Sequence, residues 1–230
     1  MMRRASIVFV MALFGLVFAS LAFNHTQSVS LRPLARSYVE LVPHELGAPN
    51  VITGILLNYR GFDTLGEVAV LFMVAAAVGL VLGRQSNPIA GDPPEPARPS
   101  SEIVQIATRI LAPLISIFAA YIIMNGHISA GGGFQGGAVL ASCLILWLLA
   151  DARFQVDVKL LGLLESVAGV LFVLTGIAGL IFAGGFLDTK VLPLGQLGAF
   201  FSAGAIPVLS LLLGIKVGCE LSVILARFRD

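Results

Sequence analysis

The chain has 230 residues, of which 57% are hydrophobic and 12% are charged, and its formal net charge is +1. This composition, with a mean hydropathy of +0.96, lies far outside the range of soluble globular domains. The balance of charges offers no basic patch for nucleic acid. We therefore predict an all-α, polytopic membrane protein with about six transmembrane helices.

Six apolar runs in the sequence reach the length of about 20 residues that a membrane-spanning helix needs. The first, Ala5 to Phe23, follows Arg3 and Arg4 and has a weak signal-peptide alternative, but we interpret it as the first membrane helix. Proline inside a helix predicts a kink, which we expect at Pro113 and Pro207. The remaining runs are approximately 65–82, 103–124, 133–150, 160–183 and 196–217.

Two segments between these runs have distinct compositions. Residues 31–57 mix charged side chains with leucine and valine, and contain Pro33, Pro43 and Pro49 as breakers. We expect this stretch to form short helices along the outer interface, dipping back into the membrane at 50–58. Residues 84–100 contain five prolines and are predicted to be a cytoplasmic linker. The predicted division is therefore a two-helix module at 1–83, a linker at 84–100 and a four-helix module at 101–230.

Basic residues predict the orientation, because cytoplasmic loops carry an excess of Lys and Arg. With the amino terminus inside, the cytoplasmic segments contain Arg3, Arg4, Arg84, Arg98, Arg153, Lys159, Arg227 and Arg229. The outer segments contain Arg32, Arg36, Arg60 and Lys190. We therefore expect a multi-pass protein of the cell (inner or plasma) membrane with both termini in the cytoplasm.

A polar, glycine-dense stretch, Asn125 to Gly137, separates the third and fourth apolar runs and is called the hinge below. Small residues recur there at every fourth position, which is the spacing by which membrane helices pack backbone against backbone. These residues are Gly133, Gly137 and Ala141. The simpler interpretation is a tight turn followed by a packing face. The alternative is a polar pocket inside a larger assembly, lined by His127, Ser129 and Gln135.

Carboxylates within the apolar runs need an explanation, because an ionised group in hydrocarbon costs a few kcal/mol or more. Glu67 follows Thr64 with the T-x-x-E spacing of a capping box at a helix start, and an ion-path role is the alternative. Glu165 shares a helix face with Gly162 and Gly169. A carboxylate on such a packing face must meet a partner from another helix or a water, so we expect Glu165 to serve ion movement.

Further ionisable groups lie in or next to apolar runs. Lys216 and Glu220 are one turn apart near the predicted cytoplasmic end of the last helix, where a local ion pair with a snorkelling lysine is expected. Arg109 is expected to reach lipid phosphate, and His127 is either a turn histidine or part of an ion path. The full set of ion-path candidates is Glu165, Glu67, His127, Lys216 and Glu220.

The sequence offers no assembled catalytic set. Three histidines and two isolated cysteines, Cys143 and Cys219, provide no paired metal ligands, no Cys₄ cluster and no nucleophile with a base. We therefore expect a chain that is not an enzyme by itself and that binds no cofactor or metal.

The hinge, NGHISAGGGFQGG, resembles the glycine-rich signature of the B subunit of Mrp-type multisubunit Na⁺/H⁺ antiporters, and TRILAPLISIFAAYIIMNGH before it is similar to that family's preceding helix. Ala130 stands where the family commonly has proline. Separately, NYRGFDTLGEVAVLF resembles the C-terminal membrane part of the A subunit, which membrane-bound hydrogenases and their relatives carry as a separate small subunit. The resemblance implies a fusion of two antiporter-module pieces.

What the resemblance implies is an integral subunit of a module that exchanges Na⁺ and H⁺, surrounded by lipids and other membrane subunits. The parent complex is either a stand-alone antiporter or a respiratory complex with a hydrogenase, sulfur-reducing or formate-oxidising arm. The resemblance implies that Glu67, the acidic residue of RGFDTLGE, is a candidate for the ion path. It assigns subunit contacts to Gly131, Gly132, Gly133, Phe134, Gly136 and Gly137. The alternatives are an independent six-helix carrier or channel, in which inverted repeats are expected, and a membrane-embedded enzyme.

Overall fold

The computed structural model describes residues 2–24, 30–83, 100–151 and 153–229. A π-helical turn, Ile55–Tyr59, joins α3 to α4, and a 3₁₀ turn, Thr189–Val191, precedes α8. Within the described residues six helices, α1 and α4 to α8, are long and apolar enough to cross a membrane, which confirms the predicted all-α class. The helices in chain order are α1 (Met2–Asn24), α2 (Pro33–Leu46), α3 (Val51–Gly54), α4 (Gly61–Gly83), α5 (Glu102–Met124), α6 (Gly133–Ala150), α7 (Val158–Phe182) and α8 (Ile206–Arg229).

The first of two compact units, Met1–Ser37, consists of α1 and the start of α2. Every side chain from Ala5 to Phe23 is exposed, and the helix is apolar on all sides. A helix without a polar face is suited to lipid on all sides or to contacts with other membrane helices.

The second unit, Tyr38–Asp230, is organised around α8, which packs against α6, α7, α4 and α5. Of the 18 consecutive residues that are most apolar in each helix, 61% are buried in α8 and 11% in α4. Therefore α8 is the central helix of this unit. One apolar cluster joins Val42 and Leu46 of α2 to Phe172 of α7 and Leu209 of α8. A second joins Val68 of α4 to Leu213 and Val217 of α8, with Phe134 packed against it.

Local caps explain several of the helix starts. The Ser101 side chain accepts a hydrogen bond from the Val104 N–H, and the Asp157 carboxylate accepts from the N–H groups of Lys159 and Leu160. Such caps satisfy backbone donors that have no partner within the helix. The predicted bounds of α5, α6 and α7 agree with the structure to within two residues.

The predicted bounds of the last helix were wrong. It begins at Ile206 rather than near Gln196 and continues to Arg229. Residues 195–205 form turns instead of the helix that we predicted there. Gly204 has a φ of 58°, which favours glycine, and a Cβ there would collide with the Thr189 carbonyl oxygen. Pro207 is consequently in the first turn of α8, where proline needs no kink.

Two other local predictions also fail. Pro43 lies inside α2 and does not end it. The capping box is absent because α4 begins at Gly61, so Thr64 is already inside the helix and its hydroxyl donates to the Leu56 carbonyl at 2.8 Å. The predicted linker lies outside the described residues except for Ser100, and the division into two modules stays a prediction.

Candidate functional site

Three ionisable side chains from two helices meet in a buried ionic trio: Glu165 of α7 with Lys216 and Glu220 of α8. The Lys216 Nζ donates to Glu165 Oε1 at 3.0 Å and to Glu220 Oε2 at 3.1 Å. The exposed fractions of Glu165, Lys216 and Glu220 are 8%, 6% and 0%. The expectation that Glu165 meets a polar partner from another helix is therefore confirmed.

The position of the trio differs from the predicted one. With α8 running from Ile206 to Arg229, Lys216 lies near the middle of the helix, more than two turns from either end. Its ammonium group is buried between two carboxylates, so the predicted snorkelling to the cytoplasmic interface is wrong. The local pair with Glu220 is present, but it is one half of a larger cluster.

Neighbouring residues shape the surroundings of the lysine. The lysine stem passes Gly169 of α7, where a Cβ would lie in ordinary contact with Lys216 Cδ at 3.6 Å. Phe72 of α4 places its ring centroid 5.8 Å from Nζ, within the range of a cation–π contact. A cleft of about 610 Å³ between α4 and α7 reaches Glu165 and Lys216 from the side, and its other walls are mostly apolar.

Charge in the trio is incompletely balanced. Two carboxylates and one ammonium group give a formal charge of −1, and Glu220 Oε1 has no hydrogen-bond partner among the described residues. A buried charge without full compensation is costly. The trio therefore has the chemical capacity to accept one proton or one cation.

The hinge packs tightly against α8 and α5, as the four-residue repeat of small residues predicts. A Cβ at Gly137 would lie 2.8 Å from both the Gly214 carbonyl oxygen and Val217 Cβ. At Gly136 it would overlap Ile123 of α5. These neighbours belong to the same chain, so the close approach is internal. A contact of these glycines or Phe134 with another subunit stays a prediction.

The start of the hinge is held by Asn50, a residue that sequence reasoning missed. Its Nδ2 lies 2.7 Å from the carbonyl oxygens of Gly126 and Ser129, and its backbone N–H donates to the His127 carbonyl at 3.0 Å. The Thr53 hydroxyl donates to Gly126 O at 2.8 Å. The available signal was the Asn50-x-x-Thr53 spacing of a helix cap, which Asn50 provides for α3.

His127 lies in the turn that begins the hinge, as the turn-histidine alternative predicts, but its burial was not predicted. It is completely buried, and neither ring nitrogen has a hydrogen-bond partner within the described residues. Burial lowers the pKa of the imidazole. A separate cleft does bring together Ser129 and Gln135 with Asn50, but His127 does not line it.

Glu67 is exposed and faces the hinge. It lines a small cavity of about 50 Å³ together with Thr64 of its own helix, Gln135 of α6 and Ser210 of α8. Arg109 is exposed on α5. The structure thus places Glu165, Lys216 and Glu220 in one cluster and puts Glu67 and His127 outside it.

Comparison with known proteins assigns the family. A model of domains related to the MnhB subunit of Na⁺/H⁺ antiporters matches residues 103–223, which is more than half of the chain. The chain belongs to this family. A second model, which describes MbhE, the E subunit of MBH, matches residues 2–94.

Individual relatives agree with this assignment. The MnhB-related chain is 38% identical to the B subunit of a Na⁺/H⁺ antiporter from Bacillus subtilis, over 37% of this chain and 62% of that protein. It is 31% identical to the probable A/B subunit of a K⁺/H⁺ antiporter from Rhizobium meliloti, over 83% of this chain and 22% of that protein.

A solved structure matches nearly the whole chain. One chain of the membrane-bound sulfane sulfur reductase, an archaeal respiratory membrane complex, superposes with a TM-score of 0.82 at 32% identity, covering 99% of this chain and 98% of that one. The MnhB-related chain is thus a multi-pass membrane subunit of an Mrp-type antiporter module or of a related complex. Its partners are other membrane subunits.

Proposed function

We propose that this subunit contributes directly to the exchange of an alkali cation for protons, and that the ionic trio is part of the ion path. The observation that carries the proposal is the meeting of Glu165, Lys216 and Glu220 near the middle of α8 with one carboxylate oxygen unpartnered among the described residues. Ionisable groups inside membrane helices are expensive and mark ion or proton pathways.

The arrangement gives Lys216 two alternative partners at nearly equal distance, 3.0 Å and 3.1 Å. When a proton or a cation arrives at one carboxylate, the attraction of that carboxylate for the ammonium group falls. The lysine then shifts its hydrogen bonds toward the other carboxylate. Uptake of a positive charge by Glu165 therefore strengthens the hydrogen bond between Lys216 and Glu220. Uptake by Glu220 strengthens the one between Lys216 and Glu165.

The cleft between α4 and α7 borders Glu165 and Lys216, which are otherwise buried, and we infer that it gives access to the trio. In an assembly of membrane subunits, a helix of a partner subunit would pack into that cleft, next to the ionic trio. We infer that the chain therefore serves both assembly and ion movement.

The identity of the transported ions is inferred from the relatives. They are named as subunits of Na⁺/H⁺ and K⁺/H⁺ antiporters, so the ions would be an alkali cation and H⁺, and the chain itself would be non-catalytic. The excess of Lys and Arg in one set of loops supports a cytoplasmic location for both termini.

The test is Glu165→Gln, which keeps the shape of the side chain and removes its charge. Cation-dependent proton exchange would be measured in vesicles containing the assembled complex. We expect at least a tenfold loss of exchange, with the subunit composition of the complex unchanged. Glu102→Gln, at the exposed start of α5, is the matched control and should exchange normally. Wild-type rates in Glu165→Gln across pH and Na⁺ concentration would refute the proposal.

A further inference from the structure

The cleft between α4 and α7 combines exposed apolar walls with one carboxylate. It extends over more than two turns of both helices. Four of its large apolar side chains are more than half exposed, namely Phe72 and Met73 of α4 with Val170 and Leu174 of α7. The carboxylate is that of Glu165, whose side chain keeps 10% of its surface accessible. The occupant of this cleft must therefore suit both apolar walls and a carboxylate.

The carboxylate of Glu165 has hydrogen-bonding capacity left. Its Oε1 accepts from Lys216 Nζ at 3.0 Å, and no group among the described residues donates to Oε2. An ionised carboxylate accepts hydrogen bonds at both oxygens. Glu220, the other carboxylate of the trio, is completely buried and does not line the cleft. Glu165 is thus the trio carboxylate that an occupant of the cleft can satisfy.

The unpartnered oxygen distinguishes between the possible occupants. Lipid chains would match the apolar walls, but they offer no donor, and a polar group left unsatisfied in hydrocarbon is costly. Lipid headgroups lie at the membrane surfaces, whereas Lys216, which bonds to Glu165, is near the middle of α8. A membrane helix meets both requirements, because such helices pack through apolar contacts and form hydrogen bonds with side chains such as Ser, Thr, Asn and Gln.

We propose that the cleft receives a membrane helix of a partner subunit, apolar except for one uncharged side chain that donates a hydrogen bond to Glu165 Oε2. That the donor is uncharged rests on the proposed function. A fixed Lys or Arg at this place would cancel the formal charge of −1 on the trio and with it the capacity to accept a proton or a cation. An uncharged donor satisfies the oxygen and leaves the charge in place.

Photo-cross-linking in the purified complex tests this contact. The photoreactive residue p-benzoylphenylalanine would replace Val170, which is exposed in the cleft. We expect it to label a membrane segment of another subunit, identified by mass spectrometry. Within one helical turn of the labelled residue this segment should carry Ser, Thr, Asn, Gln, Tyr or Trp and no Lys or Arg. Leu171, which is exposed on α7 but does not line the cleft, is the control position and should not label that segment.

Substitutions in the trio, combined with the probe at position 170, test the hydrogen bond itself. Glu165→Leu removes the acceptor and should lower the cross-linking yield about fivefold or more. Glu165→Gln keeps a carbonyl acceptor and should cross-link as the wild type does. Glu220→Leu is the matched control, because it also leaves Lys216 with one carboxylate, and its yield should be unchanged. Loss of the labelled subunit from the Glu165→Leu complex alone would support the contact equally.

Several results would overturn the proposal. They are cross-links to lipid alone, to a second copy of this chain, or to a segment with Lys or Arg at that place. Equal yields in Glu165→Leu and Glu220→Leu would also overturn it. Failure of the proposed function is a separate result, because wild-type exchange in Glu165→Gln would refute the ion path while the cross-linking pattern stayed as expected.

Discussion

At the scale of single residues, His127 is a buried base whose titration should be measurable. Burial lowers the pKa of its imidazole below the ordinary value of about 6.5, so the native hinge holds the ring neutral. The stability that comes from this neutral ring is fully present above about pH 6.5 and is lost as pH falls through the lowered pKa.

We expect His127→Phe to remove this pH dependence. Phenylalanine keeps an aromatic ring in the site and cannot take up a proton. The thermal midpoint of the wild-type complex should fall more steeply between about pH 7 and about pH 5 than that of the variant. His44, which is exposed near the end of α2, provides the control His44→Phe, and this variant should retain the wild-type slope. Equal slopes in wild type and His127→Phe would contradict the account of the buried ring.

The residue-level chemistry was partly predictable. The prediction that Glu165 meets a polar partner from another helix is confirmed, but its premise of a glycine packing face fails at Gly162, which has no neighbour within 4 Å among the described residues. The partner itself, Lys216, is 51 residues away in sequence, and nothing local points to it. Asn50 and Phe72 were missed for the same reason, because their contacts with the hinge and with Lys216 depend on the tertiary arrangement.

At the scale of helices, the contact between α6 and α8 is set by glycine on both sides. Gly137 of α6 faces Gly214 and Gly218 of α8, so the two backbones approach without intervening side chains. Gly162 on α7 is the opposite case, because among the described residues no atom outside the helix's own backbone lies within 4 Å of the position that a methyl group would take there. It can therefore accept a side chain freely.

Gly137 and Gly162 form a matched pair for mutation. Gly137→Ala places a methyl group 2.8 Å from the backbone oxygen of Gly214 and should lower the free energy of unfolding by about 1–3 kcal/mol. Gly162→Ala should be neutral or slightly stabilising, because alanine favours helix. Thermal unfolding and recovery of the assembled complex report both. Equal stability of the two variants would show that the α6–α8 contact does not depend on bare backbone.

Helix bounds were predictable where hydropathy changes together with a cap, as at Ser101 and Asp157. They failed at α8 because residues 196–205 are apolar enough to resemble helix yet contain turns. The capping-box pattern at Thr64 failed because α4 begins earlier, at Gly61. In both cases the residue types matched the expected local pattern, but the backbone did not adopt the structure that the pattern predicts.

At the scale of the molecule, the ionic trio is where structure and proposed function are hardest to separate. Removing Lys216 alone leaves two carboxylates buried together, and breaking a buried pair in this way costs about 3–5 kcal/mol. Lys216→Met is therefore expected to lower the thermal midpoint sharply and to reduce assembly. Loss of exchange in that variant would have a structural explanation as well as a functional one.

A triple variant removes that ambiguity. Glu165→Gln, Lys216→Met and Glu220→Gln together abolish all three charges, and replacing a buried ionic group by uncharged side chains of similar volume is often neutral or stabilising. We expect the triple variant to recover the stability and the subunit composition of the wild type.

Cation-dependent proton exchange in vesicles containing this triple variant tests the central claim most directly. If the trio is part of the ion path, the variant complex assembles normally and its exchange stays at least tenfold below the wild-type rate. If the triple variant regains wild-type exchange together with its stability, the trio only holds α7 against α8, and the account of its role in ion movement is wrong.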